Sequence, residues 1–225
     1  VATGWVKNGS YFNYVTSSGT KLTGIQTING KKYYFNTNGN LSTGNITISG
    51  SSYYFNNNGE MLYGLQRIGG STYYLNSNGV MEKGFKTING DTYYFNNSMV
   101  YGLQTINNKK YYFDNTGKMQ TGWINYYYSV TRRVYTSRYG YRYQTYYYLD
   151  RYYMDTDGSA VTGLKTMNNK KYYFSTSGIL SINLQNINGS YYTFDLTGTM
   201  LTGWQYINGS VYYCGNDGKA YTGLK

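Results

Sequence analysis

The sequence predicts an all-β chain: a β-solenoid of tandem β-hairpin repeats of about 20 residues, with one long irregular repeat. Three observations carry that expectation. A Gly followed by an apolar or aromatic residue, or once by Asn45, recurs at Gly4, Gly24, Gly44, Gly64, Gly84, Gly102, Gly122, Gly163, Gly203 and Gly223, with Asn183 standing in once. An Asn-Gly pair or a close substitute separates two strand-like runs in each interval. The composition is also unlike a globule's: 34 Tyr and 29 Gly, no Pro, no His, and a mean hydropathy of −0.60. Leu, Ile and Val are too sparse for one compact core, while the aromatic content is the reverse of a disordered chain's.

Each part of the repeat has a physical reason. Asn-Gly at Asn8-Gly9, Asn29-Gly30, Asn89-Gly90, Asn188-Gly189 and Asn208-Gly209 suits a type I′ turn, which needs φ > 0 at both central residues. Ser49-Gly50, Gly69-Gly70, Asn107-Asn108 and Asn168-Asn169 fill the same place. The Tyr-Tyr-Phe run that follows favours strand, and a second turn closes the unit, as at Asn58-Gly59, Asn78-Gly79, Asp157-Gly158 and Asp217-Gly218. A two-residue loop at Asn29-Gly30 sets Ile28 opposite Lys31, Gln26 opposite Tyr33 and Ile25 opposite Tyr34. Both faces of the hairpin then carry apolar groups. A lone hairpin is marginal in water, so one face packs on neighbouring units and the other leaves Tyr in the grooves between them.

The steps are 20 residues apart from one of 18 and one of 41. The chain therefore divides into short repeats at 1–121, a long repeat at 122–162 and short repeats at 163–225, read as a single continuous solenoid. Within the long repeat, 126–153 is Tyr/Arg-rich and reads as an extended hairpin or a pair of hairpins interrupting the stack. It holds Arg132, Arg133, Arg138, Arg142 and Arg151 against one acid, Asp150.

Several function classes lose support. Without His the usual general base and metal ligand is gone, and the nine acids mostly fall at turns, where Asp tolerates left-handed backbone and caps its own turn. Asp155-Thr156-Asp157-Gly158 lacks the later Glu of a calcium loop. No enzyme, metal or cofactor is expected. Cys214 stands where sister repeats carry Phe or Leu and reads as a small buried hydrophobe. No apolar run is long enough to enter a membrane. The net charge of +11 suits an acidic partner. Lys at turn edges, as in Lys31-Lys32, instead blunts exposed strands, so nucleic acid is not the expected partner. The chain opens and closes inside a repeat, and the expectation is a piece of a longer array attached to further repeats or an effector domain.

Thr-Gly-Trp/Leu-x-x-Ile-Asn-Gly-Lys-x-Tyr-Tyr-Phe-Asn-x-x-Gly resembles the cell-wall-binding (choline-binding) repeat superfamily. The wording from Gly102 to Phe113, and nearly again from Gly24 to Phe35, is similar to the combined repetitive oligopeptides at the C-terminus of large clostridial toxins. The resemblance implies a solenoid that binds choline-bearing polymers, glucans or cell-surface glycans, on a secreted protein or a bacterial surface. The leading expectation is toxin-type attachment to carbohydrate, the alternative a cell-wall anchor on teichoic acid, choline or another envelope polymer, and a third a structural stalk or filament. The family's choline cage draws a Trp after the repeat Gly and another before the Tyr pair. Here the first occurs only at Trp5, Trp123 and Trp204 and the second nowhere, so choline is the weaker reading. In the toxin repeats, glycan sites form where a long unit meets the next short one. That resemblance nominates Arg142, Tyr143 and Gln144 as polar contacts, with Arg151 and Lys165 nearby; the competing expectation is an insertion whose Tyr only pack on neighbouring units while its Arg are solvated.

Overall fold

A computed structural model of the chain describes residues 2–207 and 209–221. It forms two compact units, Val1–Val100 and Tyr101–Lys225. Each is a β-solenoid of antiparallel hairpins, and no helix occurs among the described residues. The first unit contains hairpins 4–15, 24–35, 44–55, 64–75 and 84–96; the second contains 102–113, 122–154, 163–174, 183–194 and 203–214. Asn208 of one expected turn, and Gly223 of the last repeat, lie outside the described residues.

The turn chemistry sets the register. Asn29 (φ 50°) and Gly30 (φ 77°) both take left-handed backbone, as a type I′ turn requires. The pairs Ile28↔Lys31, Gln26↔Tyr33 and Ile25↔Tyr34 follow as expected. The first hairpin departs from expectation. Asn8 pairs with Tyr11, so its loop is Gly9-Ser10 rather than one centred on Asn8-Gly9. Gly9 leads that loop with φ 60°, which is the first-position Gly of a type II′ turn. Asn183 keeps the repeat glycine's backbone at φ 60°, a conformation Asn tolerates.

After each hairpin a short linker folds back on it. The Asn56 side chain accepts the amides of Asn58 (2.9 Å) and Glu60 (2.9 Å), and the Gly59 N–H donates to the Asn56 carbonyl at 2.8 Å. The linker then stitches two hairpins together: Leu62 N–H donates to Tyr54 of its own hairpin, and Met61 N–H to Lys32 of the one before. Met81 with Ser52, Ala160 with Lys110, Leu180 with Arg151 and Met200 with Lys171 repeat the second bond. The 18-residue step is absorbed here: Phe35 pairs with Leu41, whereas Phe95 pairs with Met99 across a shorter bend at Asn97.

Alternation gives each hairpin two unlike faces. Phe35, Tyr33 and Ile28 are buried on one face, under Tyr14, Leu22 and Leu41 from neighbouring segments. Phe55, Phe95, Phe113 and Phe174 occupy the same position at 0 % exposure. Burying one such ring contributes about 1.5–3 kcal/mol. Cys214 takes this position as expected, buried, with Sγ 3.2 Å from the Thr193 hydroxyl. That pair replaces the Tyr–Phe contact seen at Tyr34–Phe55 and Tyr173–Phe194.

The long repeat is one hairpin, not two. Gly122–Thr136 pairs with Gly140–Met154 without a break, from Gly122↔Met154 to Thr136↔Gly140. Its base, Gly122–Tyr126 against Asp150–Met154, takes the place of an ordinary short hairpin. The extra residues are therefore 127–149, standing where a sister repeat has a two-residue loop. The stack is not interrupted, because Ala160 and Leu180 keep their linker bonds on either side. Gly140 (φ 69°) closes the tip loop, with Tyr139 N–H donating to Thr136 at 3.3 Å.

Candidate ligand-binding site

The grooves between consecutive hairpins hold the candidate sites. In the first unit Trp5 follows the repeat glycine on the outer face of its hairpin, cross-strand from Tyr14. The next hairpin supplies Tyr33 and Phe35. Ring centroids lie 5.4 Å from Trp5 to Tyr14, 5.0 Å to Tyr33 and 5.7 Å to Phe35, the first two edge-on. The second unit builds the same box around Trp123: Tyr153 at 5.3 Å, Tyr172 at 5.3 Å and Phe174 at 5.9 Å. Both indoles remain open to solvent, at 42 % and 47 % exposure. Trp204 has its own hairpin's Tyr213 at 5.1 Å.

The absent Trp before the Tyr pair is therefore not needed for these two boxes. Own-hairpin and next-hairpin Tyr residues surround each indole instead. Sequence reasoning missed this because the completing ring lies one whole repeat away, and after Trp123 it follows the linker of the long hairpin.

The recess beside Trp5 has a volume of about 350 Å³ and is lined by Trp5, Phe12, Tyr33, Leu41, Asn57, Asn58 and Glu60. Lys31 approaches Glu60 at 2.5 Å. The Lys31 hydrogen bond, helped by Asn56, holds the Glu60 carboxyl below the usual carboxylate range, so one wall of the recess carries a Lys31–Glu60 ion pair. Two repeats on, the equivalent groove places Asn45, Ser52, Tyr73 and Met81 where the first has Trp5, Phe12, Tyr33 and Leu41. In the second unit, equivalent grooves are lined by Lys109 and Lys110, or by Lys170 and Lys171. One backbone groove thus carries aromatic, polar and basic linings in turn.

The residues nominated from sequence fall into two groups. Arg151 pairs with Asn125, next to the Trp123–Tyr153 pair and on the same face, and its guanidinium donates to the Leu196 carbonyl at 2.5 Å. Lys165 is exposed and lies opposite Tyr172, a wall of the Trp123 box. These two sit at the base. Arg142, Tyr143 and Gln144 lie seven or more residues up the strand, which is about 24 Å or more at 3.4 Å per residue, so the five are not clustered at one point. Alternation splits the distal three as well: Arg142 and Gln144 share a face with Val134 and Arg132, while Tyr143 lies on the other with Arg133.

Those two faces differ in packing. On one, Tyr126, Tyr128 and Tyr148 stack at 5.7 Å and 5.2 Å and stay half-buried. They run down to Asp150 and to buried Tyr152. Burial first, then the Asp150 charge, pushes the Tyr152 hydroxyl up to about 12. On the other face Tyr127, Tyr143 and Tyr147 are 71 %, 78 % and 85 % exposed. The acids mostly serve their own turns: Asp114 and Asp195 accept amides two and four residues on, and Asp157 holds Ser159 and Lys109.

Sequence comparison matches a family described as choline-binding repeat over residues 22–63, 62–99 and 100–136, just over half of the chain. A second, described as putative cell wall binding repeat, matches 162–180 and 202–220. A search among curated proteins finds no significant match. Among solved structures, choline binding protein F from Streptococcus pneumoniae aligns with a TM-score of 0.67 at 22 % identity, over 99 % of this chain and 87 % of that one. CbpJ from the same species gives 0.62 at 24 %, over 98 % and 88 %. The choline-binding domain of its CbpL gives 0.58 at 24 %, over 89 % and 98 %. At these identities the likeness establishes the fold.

Proposed function

The chain belongs to the choline-binding repeat family, and on that premise we propose that it is a non-enzymatic module anchoring to a bacterial envelope polymer through the quaternary ammonium groups of choline. The observation that carries this reading is the repeated box at Trp5 and Trp123, each with three further rings within 6 Å. A trimethylammonium group cannot donate hydrogen bonds, so its best desolvated partners are ring faces, Trp above all. At Trp123 the neighbouring Arg151 suits the phosphate of a phosphocholine substituent. A cation–π site of this kind contributes about 0.5–2 kcal/mol. Firm attachment then comes from several sites acting on one polymer.

This reading shifts weight from the toxin-type receptor to the cell-wall anchor and places the module at the cell surface. Binding rather than catalysis is supported by the absence of His from the sequence and by carboxylates engaged in turns and Lys pairs. The test is retention on choline resin with elution by free choline, for the wild type and for Trp5→Ala with Trp123→Ala. Equal retention of the two would sink it. The exposed Tyr rings of the long hairpin favour a second reading, attachment to host glycans. Glycan-array binding that free choline leaves untouched would select that one.

A further inference from the structure

The outer face of the long hairpin begins at the Trp123 box and runs outward from it. Beyond Trp123–Tyr153 and Asn125–Arg151 come Tyr127–Leu149, Ser129–Tyr147, Thr131–Thr145 and Arg133–Tyr143. From Trp123 to the Tyr135–Tyr141 pair the track is about 40 Å long at 3.4 Å per residue. Tyr127, Tyr143 and Tyr147 are largely exposed on it, while Tyr135 and Tyr141 meet edge-on at 5.3 Å near the tip. The opposite face stacks its own Tyr residues, whereas Tyr127 and Tyr147 stand open beside a recess of about 260 Å³ lined also by Ser129, Tyr128 and Tyr148. An exposed aromatic surface of this extent marks a binding surface.

Charge narrows the occupant. Residues 127–149 contain Arg132, Arg133, Arg138 and Arg142 and no acid. On the outer face the Arg133 guanidinium carbon lies over the Tyr141 ring, 4.1 Å from its centroid. No carboxylate pairs with it among the described residues, so its donor fork is oriented and open to an oxyanion. Ring faces that take sugar C–H surfaces alternate here with a guanidinium that takes phosphate.

We propose that this face binds the backbone of a phosphodiester-linked, sugar-containing envelope polymer whose choline substituent occupies the Trp123 box. The proposal rests on the box reading and extends it: the box takes the pendant group, the hairpin takes the chain. It needs no chemistry beyond stacking and charge-assisted hydrogen bonds.

The experiment compares the whole chain with two variants. One carries Tyr127→Ser, Tyr143→Ser and Tyr147→Ser on the outer face; the other carries Arg133→Gln alone, which spares the apolar surface. Free choline binding, followed by Trp fluorescence, reports on the boxes and on folding. Binding to purified choline-bearing teichoic acid reports on the track. The triple variant is expected to keep its choline affinity and lose polymer affinity at least about tenfold, given the magnitude of ring stacking. Arg133→Gln should lose less and show a weaker salt dependence. Equal polymer affinity in wild type and triple variant overturns the proposal whatever the boxes do. A wild type without choline affinity instead sinks the box reading. Displacement of the polymer by single-stranded DNA at matched phosphate concentration overturns the choice of occupant.

Discussion

Hairpin 163–174 and hairpin 122–154 start from the same repeat and reach opposite ends. In the short one, five pairs place one ring, Phe174, at 0 % exposure under Val161 and Leu180, and the hairpin has no surplus length. In the long one, the base is equally packed, with Met154 at 1 % and Tyr152 at 2 %, and ten further residue pairs continue past it. Packing is decided by position relative to the neighbouring linkers, not by how aromatic the segment is. The distal segment is at least as rich in Tyr as the base, and its outer rings stay in water. The lesson is that core packing and exposed aromatic surface have separate addresses along one ladder.

The largest effect should separate those addresses. Phe174→Ala is expected to cost about 3–5 kcal/mol by cavity formation, while Tyr147→Ser stays within about 0.5 kcal/mol; urea unfolding of each checks this, and similar costs would erase the distinction. Next is alkaline pH, which probes the junction. Folded Tyr152 keeps its proton to about 12, whereas unfolded Tyr loses it near 10, so the unfolded state binds fewer protons between them. Stability is full below pH 10 and falls as pH rises through 12, by roughly 2–3 kcal/mol at about 1.4 kcal/mol per unit. Thermal midpoints across that range should drop, and Asp150→Asn should flatten the drop by removing the nearby negative charge.

Glycines offer a finer contrast within the short hairpins. A Cβ on Gly59 would stand 2.7 Å from the Leu41 side chain, whereas one on Gly30 meets nothing within 4 Å. Both positions need left-handed backbone, which costs about 1–2 kcal/mol for other L-residues. Gly59→Ala should therefore destabilise more than Gly30→Ala, read from the difference between two melting curves. The smallest effect concerns the grooves: Asn45→Trp puts an indole beside Tyr54 and Tyr73 and should add a choline site worth about 0.5–2 kcal/mol. Calorimetric stoichiometry above the wild type's is the expected result.

The fold was legible because two-residue turns leave no slack. Asn29-Gly30 fixes every pair from Ile28 to Gly24, and a step of 20 repeats that register down the chain. The first turn was misread because Asn8-Gly9 imitates the pair, while the loop is Gly9-Ser10. The candidate site was only half legible. Arg151 and Lys165, nominated through the resemblance, lie beside the Trp123 box. Arg142, Tyr143 and Gln144 were grouped because they are adjacent in sequence, but a period of two sends neighbours to opposite faces. The box escaped notice because Tyr33 meets Trp5 only once the stacking offset between hairpins is known. No local pattern reports that offset.

The linker bonds from Met61 to Lys32 and from Leu180 to Arg151 bear on how the chain yields under load. Each coil of the chain is clasped by the tail of the next, so tension on an end reaches one clasp at a time. Within each unit, pulling should open coils in succession, giving a sawtooth of near-equal extensions in a force trace. A tether that gives way by instalments absorbs a jolt that would strip a one-piece attachment; a single rupture per unit would contradict this.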